Sequence, residues 1–120
     1  MTPFGKIIRR AVETTPGAVG GAFAAADGEM VDCFAKAFGV SEWALITAHY
    51  GVILAQLRAA FGIWHFGSPE YFIAQHGSLG VVVHDVSAGY YALLAMTNHD
   101  PSSALPTLAT AIAALQEEMS

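Results

Sequence analysis

The stretch Ser41–Gly62, SEWALITAHYGVILAQLRAAFG, constrains this chain more than any other. It reads as one helix of about 22 residues, roughly 33 Å long at 1.5 Å per residue. Ser41 suits an N-cap, Glu42 the positive end of the helix dipole, and Gly62 a left-handed stop. Ile46, Tyr50, Ile53, Leu57 and Phe61 recur at helical spacing and form an apolar stripe. Trp43, Leu45 and Leu54 spread the apolar surface well past that stripe. Gly51 costs about 1 kcal/mol against Ala in mid-helix and would admit another backbone at close range. Such a helix needs cover on two sides. One side is served by its own domain, the other by a second layer or a second chain.

Composition sharpens that demand. The 120 residues suffice for one domain, residues 1–120, but not two. Only 12% of them are charged and 54% are apolar, so self-association is expected. A net charge of −5 with five Lys+Arg argues against nucleic acid, which needs a basic face. No stretch reads as a membrane span. The charge-free run Trp43–Leu57 falls short of about 18 residues and contains His49 and Gln56. Leu79–Met96 is broken by His84, Asp85 and glycines. Lys6, Arg9 and Arg10 faintly imitate a signal peptide, but Glu13 and Pro16 interrupt it. The single cysteine, Cys33, excludes an internal disulfide and fits a reducing cytoplasm.

Pro3–Thr15 has a helical apolar face of Phe4, Ile7, Ile8 and Ala11, ended by Thr15-Pro16-Gly17. Two strand-like runs, Ala18–Ala26 and Glu29–Lys36, flank Asp27-Gly28, a tight-hairpin signal. Pairing Ala26 with Glu29 sets Phe23 opposite Asp32 and Ala22 opposite Cys33. The Gly/Ala-rich first strand makes sense if helices pack closely over it. Glu70–His76, Leu79–Val86 and Tyr90–Thr97 form a meander turning at Gly77-Ser78 and Ser87-Ala88-Gly89, with Tyr71 facing His84. A last helix spans about Ser103–Met119, buries Leu105, Leu108, Ile112 and Leu115, and holds Pro106 in its first turn. The fold class is α+β, ordered α-β-β-α-β-β-β-α. Its strands form one antiparallel sheet with helices available for both faces.

This order resembles the Roadblock/dynein light chain family. The matching features are Thr15-Pro16-Gly17-Ala18-Val19 leading into the first strand, Asp27-Gly28, and the long helix. The strand Tyr71–His76 follows, then Leu79-Gly80-Val81-Val82-Val83 and Tyr90-Tyr91-Ala92-Leu93-Leu94. Ile63-Trp64-His65-Phe66 departs from the family pattern. The resemblance implies a five-stranded antiparallel sheet with the long helix on one face and the terminal helices on the other. It further implies dimerisation through the long helix and third strand. Several members, among them the bacterial gliding-motility regulator MglB, bind Ras-like small GTPases, and others are scaffolds or motor-associated chains.

Chemistry is sparse. His49, His65, His76, His84 and His99 form no HxxxH or HExxH pair, so no metal and no cofactor is expected. Cys33 has no evident base, and Asp85 and Ser87 near His84 lack a triad context. Gly17, Gly20 and Gly21 do not open a helix after a strand, as a phosphate loop would. Arg58, the long helix's lone arginine, is a candidate for insertion into a GTPase site, against a solvated or rim position. The expected interface is Trp43, Ile46, Tyr50, Ile53 and Leu57 with edge-strand residues Tyr71, Phe72 and Ile73. The chain thus reads as a non-enzymatic homodimeric adaptor that binds a Ras-like small GTPase or scaffolds a signalling or motility complex. The alternative is a small-ligand-binding sensor domain.

Overall fold

Thr2 starts the first helix, α1 (Pro3–Thr14), by accepting from the Gly5 N–H at 3.0 Å and donating to the Asp32 carboxylate at 2.6 Å. The computed structural model describes residues 1–62 and 64–120; Ile63 of the divergent stretch lies outside them. α1 buries Ile8, Ala11 and Val12, and Gly17, at φ +82°, turns the chain into β1 (Ala18–Ala24).

β2 (Met30–Ala35) pairs with β1 in the expected register, Phe23 opposite Asp32 and Ala22 opposite Cys33. The turn between them differs from the tight hairpin expected. Gly28 N–H bonds to the Ala25 carbonyl and Ala25 N–H to that of Glu29, both at 2.9 Å, so the loop is one residue longer. Gly28 takes the left-handed conformation that this loop requires. A bulge between Phe23 and Ala24 then restores the register.

The long helix, α2 (Val40–Phe61), starts two residues early, with Gly39 rather than Ser41 at its cap and no side-chain cap bond. The indole N–H of Trp43 donates to the Ala37 carbonyl at 2.7 Å, and Phe38 turns at φ +69° to deliver that carbonyl. Gly62 is right-handed, not the left-handed stop expected. β3 (Tyr71–Gln75), β4 (Gly80–Ser87) and β5 (Tyr90–Met96) form the meander, with Tyr71 opposite His84 and positive φ at both turn residues, Ala88 and Gly89. A short 3-10 turn, Pro101–Ala104, precedes α3 (Leu105–Met119), whose first turn contains Pro106.

The five strands form one antiparallel sheet in the order β2-β1-β5-β4-β3. One face packs against α1 and α3 through Ile8, Val12, Phe23, Leu94, Leu108 and Leu115. The other packs against α2 through Ala22, Val81, Val83, Tyr91, Leu93 and Ala95. The small residues of β1 serve the close packing expected, because a side chain on Gly20 would collide with the Trp43 ring.

The rotation of α2 about its own axis divides the apolar stripe between core and surface. Trp43, Thr47, Tyr50, Gly51 and Leu54 are buried, whereas Ile46 and Leu57 are half-buried and Ile53 and Phe61 exposed. The rotation follows from Tyr91, which rises from β5 and donates its hydroxyl to the Thr47 carbonyl at 2.8 Å. Gly51 makes room for that hydroxyl, so the glycine admits a side chain rather than a backbone.

Gly51→Ala therefore opposes two effects. Helix propensity alone would add about 1 kcal/mol, but the new methyl meets the Tyr91 phenol, and such overpacking costs about 1–3 kcal/mol. Urea unfolding is expected to show a net loss, partly recovered in Gly51→Ala/Tyr91→Phe. A more stable Gly51→Ala would refute the packing. Burial, aided by the Asp27 carboxylate, pushes the Tyr91 phenol from 10.0 to about 12. A raised folded pKa means that this contribution is intact below about pH 10 and is lost as pH rises toward 12. Urea midpoints should fall over that interval, and fall less steeply in Tyr91→Phe.

Candidate functional site

β3 ends the sheet, so one row of its backbone N–H and C=O groups has no strand partner among the described residues. Its side chains alternate. Phe72 and Ala74 face α2, whereas Ile73 pairs with Val82 on the α1/α3 side and Tyr71 with His84. The expected edge residues Tyr71, Phe72 and Ile73 thus divide between the two faces, and only Phe72 shares a face with the long helix.

The backbone of α2 lies closest to β1 and β2, which leaves the β3 side of this face thinly covered. A cleft of about 460 Å³ opens there, lined mainly by Ile46, Ile53, Ala74, Leu79 and Val81, with His49, Tyr50 and His76 as its polar members. The Tyr50 hydroxyl hydrogen-bonds to His76 Nε2, and its ring lies 6.1 Å from that of Phe72. Burial raises the Tyr50 phenol pKa. Sequence reasoning missed His49, His76 and Leu79. The strand alternation that carries Phe72 and Ala74 to this face also carries His76 there, and could have found it.

Beyond the cleft, α2 presents Leu45, Val52 and Ile53 to solvent, exposed by 61%, 57% and 40%. Past the helix end the rings of Trp64 and Phe66 stack at 6.2 Å, both exposed. This is more apolar surface than scattered single residues present. The structure thus brings Ile46, Tyr50, Ile53 and Phe72 together. Trp43 is wholly buried against Gly20, in the chain's own core rather than at a contact surface.

Arg58 has partners within the chain. Its guanidinium pairs with the Asp85 carboxylate and donates to the Gly89 carbonyl at 3.4 Å, tying α2 to the β4–β5 turn. It is half-buried and paired within the chain rather than simply solvated. A His and a Tyr opposite each other across strands, as His84 and Tyr71 are, can form a polar pair. The two rings stack instead at 5.7 Å, and His84 Nδ1 lies 2.7 Å from the Asp85 carbonyl oxygen. Burial and neighbouring Asp32 push the Cys33 thiol pKa up, which keeps it protonated and poorly nucleophilic at neutral pH. Among the described residues no group of three or more His, Cys, Asp or Glu is placed to hold a metal.

By length and composition α2 is apolar enough to cross a membrane, contrary to the run-length reading. Here it packs Trp43, Tyr50 and Leu54 onto the sheet, and inserting it in a bilayer would strip that face.

No protein-family model and no curated protein matches this sequence. Solved structures do. A Roadblock/LC7 domain from Streptomyces avermitilis superposes with a TM-score of 0.85 at 13% identity, covering 96% of both chains. MglB of Myxococcus xanthus gives 0.86 at 8% identity, over 99% of this chain and 96% of that one. An MglB with a tetrameric arrangement gives 0.83 at 13% identity, over 98% and 90%. At such identities the likeness is one of fold. The chain has the Roadblock/LC7 fold, with the layers and the element order along the chain expected above.

Proposed function

We propose that this Roadblock/LC7-fold chain is a non-enzymatic, cytoplasmic homodimeric adaptor that regulates or scaffolds a Ras-like small GTPase. The observation that carries the reading is the adjacency of an uncovered apolar helix face and an unpaired strand edge. Two copies related by a twofold axis set α2 beside α2 and β3 beside β3, which extends the sheet and covers both liabilities at once. Leu45, Ile46, Val52, Ile53 and Leu57 supply the helix contacts, and Tyr71, Phe72 and Ile73 flank the paired edge. Trp43 and Tyr50 hold the helix from beneath, and Arg58, tied to Asp85, sits toward the rim. Likeness to MglB supports the GTPase, since the family resemblance implies that partner.

The cleft favours a second reading, a small-ligand sensor. Its volume falls within the range of about 300–1,000 Å³ common for ligand sites. Native mass spectrometry of freshly purified protein distinguishes the two. A retained adduct favours the sensor, and a clean apo dimer the adaptor.

Ile53→Glu tests the dimer. The side chain is exposed in the protomer, so the fold is retained while each copy buries an unpaired carboxylate in the interface. Light scattering should show monomers, with dimer association weakened about hundredfold or more, roughly 3 kcal/mol. A variant that stays dimeric, or a wild type monomeric at micromolar concentration, would overturn this interface. For the GTPase, the immobilised dimer should retain a Ras-like GTPase preferentially in either its GDP or its GTP-analogue form. Failure with both nucleotides counts against that partner and leaves the dimer measurement standing.

A further inference from the structure

Across the sheet from α2, α1 and α3 pack side by side and leave a groove of about 460 Å³. Ala11, Ala111 and Ala114 form its floor, small side chains over which a third helix can seat closely. Lys6 and Arg10 stand one helical turn apart along its α1 wall, and Thr107 and Thr110 face them from α3. Among the described residues no carboxylate lines this groove. In a chain of net charge −5 with five Lys+Arg, that concentration of positive charge is unexpected. The adjacent Arg9 is satisfied at home, by Glu13 at 3.2 Å and by the Phe34 ring at 5.3 Å. Lys6 and Arg10 make no ion pair among the described residues.

We infer that the α1/α3 groove is a second docking surface, for an acidic amphipathic helix of a protein partner. Carboxylates one turn apart on that helix meet Lys6 and Arg10, and its apolar side lies on the alanine floor. Two cations on an otherwise acidic protein are too few for nucleic acid. The floor is recessed and small, which suits a helix better than a lipid surface. A second copy fits poorly, because Glu117 and Glu118 are adjacent rather than one turn apart. The groove stays open when α2 and β3 are covered, so this surface does not depend on the proposed dimer.

The test uses the whole chain and a fluorescein-labelled helical peptide of about 18 residues, roughly 27 Å long. Glutamates one turn apart run along one edge of the peptide, with Leu and Ala on the adjoining face; a second peptide carries Lys in place of each Glu. Anisotropy should rise saturably with the acidic peptide, and affinity should fall with added salt. Lys6→Glu/Arg10→Glu should weaken binding about tenfold or more and gain the Lys peptide in exchange. Amide shifts should cluster on α1 and α3 and spare α2. If the charge-reversed pair melts early, Lys6→Gln/Arg10→Gln serves, with a smaller loss. Absent saturation, binding indifferent to both substitutions, or shifts on α2 would overturn the inference. Binding of anionic vesicles, of an oligonucleotide or of a second copy through Lys6 and Arg10, with the peptide silent, would overturn it equally.

Discussion

Tyr91 decides how the long helix sits, and much else follows from that. A phenol rising from a central strand reaches the carbonyl of Thr47 only because position 51 carries no side chain. Once that bond forms, Trp43 and Leu54 fall onto the sheet and Leu45, Val52 and Ile53 are left facing out. Thr47 is held there too, its own hydroxyl buried and without a hydrogen-bond partner among the described residues. A buried hydroxyl left unpaired costs about 1–3 kcal/mol. The rotation is therefore held by packing and by the tyrosine bond, against a local polar penalty.

The first strand carries the complementary constraint. Layers of helix on both sides of a five-stranded sheet require a centre thin enough to admit them. Gly20 yields to the Trp43 ring on one face, and Gly21 yields to Leu94 and Ile8 on the other. Phe23 then fills the α1/α3 side, stacked between Phe4 at 5.1 Å and Tyr90 at 5.4 Å. What looks like poor strand material is a spacer between two well-packed layers.

The two faces end up unlike each other. On the α2 side the exposed surface is apolar and abuts an unpaired edge, a geometry suited to self-pairing. On the α1/α3 side the groove is floored by alanine and edged by cations, a geometry suited to a partner of opposite charge. An adaptor needs separate surfaces of this kind, since one occupied face must leave another free.

Element order, the antiparallel meander and the Tyr71–His84 register were legible in the sequence, because turn residues and strand alternation are local signals. Even the β1–β2 register came out as expected, though by a longer loop and a compensating bulge that no residue pattern announces. The rotation of α2 was not legible. A helix apolar around most of its girth does not say which side the sheet will cover, so Ile46 and Ile53 looked as suited to the core as Leu54. The Arg58–Asp85 pair and the Tyr50–His76 bond join residues far apart in the chain, and only packing brings them within reach. By itself, then, the sequence determined which elements exist, their order, and that one helix needs more cover than a single sheet face provides. The tertiary structure alone decided which side of that helix stays uncovered, because the choice depends on where a distant tyrosine finds room.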